Sequence, residues 1–174
     1  IVRLLAILFS IFYLLFSILN WAILPRAAIS PQEDAVSQRL AYNELGFQLV
    51  KSRPIGVGIG NQIIYSVKNG FYQALGMNRV WQWQPIHNIY LLIASEIGVL
   101  GLLSFLAFIA LIMFRNFKFQ NPNVKIVLIM LSALLLFGFF DHFLWTIQPG
   151  RLMFWLIVGL IWGSLDYSIF IQHM

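Results

Sequence analysis

Four apolar runs, at 4–24, 89–114, 126–147 and 152–171, dominate the sequence, each near the ~20 residues that carry an α-helix across roughly 30 Å of hydrocarbon. A soluble core has no room for them: 60% of the residues are apolar and only 10% are charged, against about a quarter charged in water-soluble domains. The expected fold is therefore all-α, a polytopic membrane protein with four transmembrane helices and a large external loop at 25–88. Residues 1–174 read as one partial membrane domain. The first run is too long for a signal-peptide core and lacks a small-residue cleavage pattern, so it reads as a retained span. Because the sequence starts at Ile1, a fragment of a larger helical membrane enzyme is expected.

Basic residues lie mostly at the edges of the runs. Their scatter points to anionic lipid or a phosphate-bearing substrate, with no nucleic acid expected. Cysteine is absent, which excludes disulfides, thiolate metal sites and cysteine nucleophiles. The connector 115–125 carries Arg115, Lys118 and Lys125 and no acid, so the positive-inside rule places it in the cytoplasm and the 25–88 loop outside.

Within that loop, Ser30-Pro31-Gln32-Glu33 has the form of a capping box, and a helix is expected from there to about Lys51. Val36, Leu40, Phe47 and Val50 share one face and Tyr42, Leu45 and Leu49 another, a pattern that suits an interfacial helix. Pro54 stops it. The glycines Gly56, Gly58 and Gly60 follow, and their amides suit either an anion cradle or a tight turn. Trp81 and Trp83 read as headgroup-level anchors before the second run.

Polar side chains in and beside the apolar runs are the candidates for chemistry. His87, at the outer mouth of the second run, titrates near neutrality and suits a general base; a helix cap is the structural alternative. Glu96 falls about 12 Å into the run, where a carboxylate marks either a function or a polar helix contact. Gly98 and Gly101 suit close approach of another helix. Asp141 and His142, on the third run, and Arg151, at the start of the fourth, are expected to gather on the same outward half. Arg39, Lys51 and Arg53 suit phosphate, or merely reach lipid headgroups.

Three blocks taken in order resemble the bacterial O-antigen ligase and polymerase family. They are Arg39-Leu40-Ala41-Tyr42, then Pro54-Ile55-Gly56-Val57-Gly58-Ile59-Gly60-Asn61, then His87-Asn88-Ile89-Tyr90-Leu91 with Glu96, Gly98 and Gly101. The last is the most specific. The resemblance covers about 36–114, whereas the two final runs fit only in their hydrophobic layout. It implies a metal-independent glycosyltransferase without cofactors, multi-pass in the bacterial inner membrane. Such an enzyme moves a glycan from an undecaprenyl diphosphate carrier, the lipid-linked oligosaccharide donor, to a lipid A core, glycan or protein hydroxyl. By the same resemblance Arg39 holds the diphosphate and His87 activates the acceptor, while Arg53, Gly58, Gly60, Asn88, Tyr90 and Glu96 contribute to substrate binding; no metal is implied. A transporter or flippase component for a polysaccharide or lipid-linked substrate is the competing expectation. It calls for inverted repeats and broken helices, neither of which is visible in the sequence.

Overall fold

The computed structural model describes residues 34–117 and 122–172. The first apolar run and the expected capping box lie outside the described residues. The chain divides into two compact units, Ile1–Gln38 and Arg39–Met174; of the first, only the opening of one helix is described, and everything below concerns the second. The described residues hold seven α-helices and a 3-10 turn and no strand: α1 Asp34–Ser52, α2 Gln62–Lys68, α3 Phe71–Ala74, the 3-10 turn Val80–Gln82, α4 Ile89–Phe117, α5 Pro122–Phe137, α6 Phe143–Thr146 and α7 Gln148–Gln172.

Among these, one helix is long and apolar enough to cross a membrane, Ile89–Asn116, with mean hydropathy 2.7. The third run does not form the continuous helix expected for 126–147. It stops at Phe137, turns through Gly138-Phe139-Phe140-Asp141, and resumes as the single turn of α6 before α7 begins. At the stop the chain packs closely on the start of α4. The Ile89 amide donates to the Gly138 carbonyl at 2.8 Å, and a Cβ at Gly138 would lie 2.5 Å from Ile89 Cδ1.

The loop folds on a core of its own. The α1 face carrying Tyr42, Leu45 and Leu49 is buried with Tyr72, Met77, Ile86 and Leu92, whereas Leu40 and Phe47 point outward, 57% and 60% exposed. The two faces seen in the sequence therefore have different fates. Trp83 packs on this core with its indole N–H donated to the Met77 carbonyl at 3.1 Å, a pinned strut where an interfacial anchor is expected; Trp81 is exposed. A second core joins α4, α5, α6 and α7 through Ile89, Ile109, Leu131, Leu144, Phe154 and Ile161. Trp145 packs against both.

The central departure from expectation is in α4. Gly98 sits at φ 80°, ψ 174° and breaks the helix, a conformation only glycine adopts cheaply. Breaking a helix orphans carbonyls, and in an apolar setting each orphan costs several kcal/mol. The glycine-run loop supplies the partners. Val57 N–H donates to Ser95 O at 2.9 Å, Gly58 N–H to Glu96 O at 2.8 Å, and Val99 N–H to Pro54 O at 2.9 Å. Backbone meets backbone here: a Cβ on Gly56 would lie 2.4 Å from Glu96 O, and one on Gly98 would lie 2.6 Å from the Ile55 carbonyl. Gly98 thus admits a loop and not a neighbouring helix, and a Cβ on Gly101 would meet Ile97 of its own helix at 2.4 Å. Broken helices, absent from the expectation, are present.

Candidate functional site

His87 lies between the 3-10 turn and α4, and two other elements converge on it. Tyr42 of α1 stacks on its ring at 4.8 Å with 21° between the planes. The Tyr42 hydroxyl donates to the Gln82 carbonyl at 2.9 Å, which fixes the phenol. From the turn before α6, His142 meets the His87 ring edge to face at 4.9 Å and 83°. The result is a half-buried imidazole held by aromatic surfaces, and its Nδ1 is buried with no well-formed hydrogen bond among the described residues.

Burial pushes the His87 pKa below the ordinary histidine value; Asp141 and the Pro85 carbonyl push it back up, and the positive charge of Arg39 lowers it again. A histidine displaced in that direction is neutral at pH 7, the form that accepts a proton. Arg39 is an exposed cation on α1, near enough for its charge to act on His87.

The other residues singled out in the sequence separate by job. Asn88 caps α4: its Oδ1 accepts from the amides of Tyr90 and Leu91 at 3.0 and 3.2 Å. Tyr90 ties α4 to the end of α5 by donating to the Leu135 carbonyl at 2.7 Å. Arg53 donates through Nε to the Tyr65 hydroxyl at 2.8 Å and lies 5.6 Å above that ring. The Gly58 amide is occupied by Glu96 O, so it is not free to cradle an anion.

Gly60 and Glu96 line a separate apolar cavity of ≈ 470 Å³ whose walls include Ile63, Ile93, Phe154 and Trp155, with Arg151 among its few polar groups. Glu96 is 5% exposed. Its Oε2 accepts the Trp145 indole N–H at 2.8 Å. The short α6 connects the two places, because Trp145 and Thr146 line this cavity while Thr146 also contacts His142. Asp141 and His142, expected to gather with Glu96 and Arg151, lie by His87 instead, where His142 meets its ring and the charge of Asp141 acts on it; Glu96 finds Trp145.

The Glu96 contact makes a direct prediction. Glu96→Gln keeps an oxygen for the indole and should leave stability within about 1 kcal/mol, whereas Glu96→Leu strands the Trp145 donor at a cost of about 1–3 kcal/mol. Heating the full-length variants in detergent and following the folded fraction by size exclusion checks the order. Equal loss in both would show that the charge, and not the hydrogen bond, matters.

A chain whose described secondary structure is all helical, with one helix long and apolar enough to cross a membrane, has the character of a membrane protein. The O-antigen ligase family model matches residues 1–106. The chain belongs to the O-antigen ligase family, and with it to the glycosyltransferase-like proteins that handle lipid-linked glycans and their acceptors in lipopolysaccharide biosynthesis. The matched stretch contains the glycine run, His87 and Glu96, and ends before Asp141 and His142. No curated protein and no solved structure matches the chain.

Proposed function

We propose that this chain carries the acceptor-activating part of an enzyme that moves a glycan from an undecaprenyl diphosphate carrier to an acceptor hydroxyl at the outer face of the bacterial inner membrane. The four apolar runs then all act as spans, with 25–88 outside. The observation that carries the proposal is His87 itself: neutral, held between Tyr42 and His142, and within electrostatic reach of Arg39.

In this mechanism the neutral ring keeps its hydrogen on the buried Nδ1 and offers the lone pair of Nε2. As the acceptor oxygen bonds to the anomeric carbon, its proton passes to Nε2 and the bond from that carbon to the diphosphate oxygen breaks. The departing diphosphate gains negative charge, which a fixed guanidinium at a water-poor interface stabilises better than water does. A base and a leaving group on opposite faces imply inversion at the anomeric carbon. The chemistry needs no metal and no cofactor.

Arg39 tests the donor half of the scheme. Arg39→Ala in the full-length protein should reduce transfer from a lipid-linked oligosaccharide by at least ~10-fold at matched protein levels. Arg39→Lys should stay well below wild type, because lysine keeps the charge and loses the bidentate fork. Wild-type transfer by Arg39→Ala would leave Arg39 as a headgroup contact and remove it from the site.

The transporter alternative gains from the helix break at Gly98, a feature of transporter binding sites. Here, however, backbone fills the break, so no open path runs through it, and the family favours transfer.

A further inference from the structure

His142 is fixed more firmly than a bystander needs to be. Asp141 Oδ1 accepts the His142 and Phe143 amides at 2.6 and 3.1 Å and so tethers the entry to α6. One turn later, Thr146 Oγ1 lies 2.6 Å from His142 Nδ1 and also donates to the His142 carbonyl at 3.2 Å. With the hydroxyl hydrogen directed to that carbonyl, the hydrogen between Nδ1 and Oγ1 comes from the imidazole. The network therefore assigns the neutral ring of His142 its proton on Nδ1 and locks its rotation. The locked ring then contacts His87 at 4.9 Å.

We propose that His142 is a positioning residue for His87: anchored through Thr146, it fixes the His87 ring plane against Tyr42, and the two rings in contact take up protons as a coupled pair. The proposal rests on His87 acting as the base. Two imidazolium ions at this separation repel, so the pair takes up its protons in two steps, the second displaced to lower pH. The other groups that act on the pair are Arg39 and Tyr42 from α1 and Asp141 from the turn itself. Arg39 reinforces the effect and Asp141 opposes it. None of the family-matched stretch includes His142, so the partner of the histidine comes from a part of the chain where only the hydrophobic layout resembles the family.

The test uses the full-length protein in detergent with ¹³C-labelled histidine, the His87 resonance being assigned by its loss in His87→Gln. In His142→Gln, which removes both the aromatic edge and the second proton site, the His87 titration should collapse from two coupled steps to one, and kcat for glycan transfer should fall about 10-fold with the donor KM within about two-fold. His142→Phe restores the aromatic edge without a proton site, so its His87 titration should also be a single step while most of the rate returns; it stands in if the glutamine variant does not fold. A His87 titration of unchanged shape in whichever variant folds, or a His142→Phe rate no higher than that of His142→Gln, overturns the proposal. The resonance reports on the pair even if His87→Gln proves active, so failure of the base assignment and failure of the pairing give different results.

Discussion

Replacing Gly98 by alanine should be among the most damaging single-methyl changes available in this chain. The new Cβ would lie 2.6 Å from both the carbon and the oxygen of the Ile55 carbonyl and 2.7 Å from Pro54 O, while the backbone stays at φ 80°. Neither neighbour is a flexible side-chain tip that can swing away. Relief requires lifting the Pro54–Gly58 loop off the helix, and that breaks the three hydrogen bonds serving Ser95, Glu96 and Val99. Backbone strain of about 1–3 kcal/mol and the orphaned groups together imply a loss of at least ~3 kcal/mol. Gly60→Ala is the matched comparison. It too has a positive φ, 74°, but a Cβ there meets nothing within 4 Å, so only the ~1–2 kcal/mol left-handed cost applies. The folded fraction of full-length protein after graded heating should fall in the order wild type, Gly60→Ala, Gly98→Ala. If the two variants behave alike, the loop does not seal the helix break.

The helical class, the α1 helix and its two faces, and the family resemblance of the block from His87 to Gly101 are legible because each is written locally. Apolar length, a 3.6-residue period and polar residues beside an apolar run need no partner to be recognised. The break at Gly98 is different. Two glycines three apart in an apolar helix look like a helix contact, and only the Pro54–Gly58 loop, some forty residues earlier, makes a rupture affordable. The end of α5 is hidden for the same reason, since Gly138 packs there on Ile89, some fifty residues earlier. The turn that follows carries His142 into contact with His87. Composition also concealed the ordinary work of Asn88 and Tyr90, a cap and a tie, because residues in a functional motif look alike whether they bind substrate or shape the backbone that does.

The proposed transfer turns on His87. Its Nδ1 is buried, its ring is held on two sides, and burial keeps it neutral at pH 7. A general base in such a place contributes typically 10²–10⁴-fold to rate, about 3–5 kcal/mol of barrier. His87→Ala should lose that factor, although it also empties the space beside Tyr42, so glutamine is the more telling replacement. Glutamine retains much of the size and hydrogen-bonding capacity of histidine and takes no proton near neutral pH. The decisive measurement is the rate of glycan transfer by purified full-length His87→Gln, with lipid-linked donor and acceptor at saturation and equal folded protein. A rate at least ~100-fold below wild type with normal donor binding is expected; a rate within a few-fold of wild type would show that His87 only shapes the site and takes no proton.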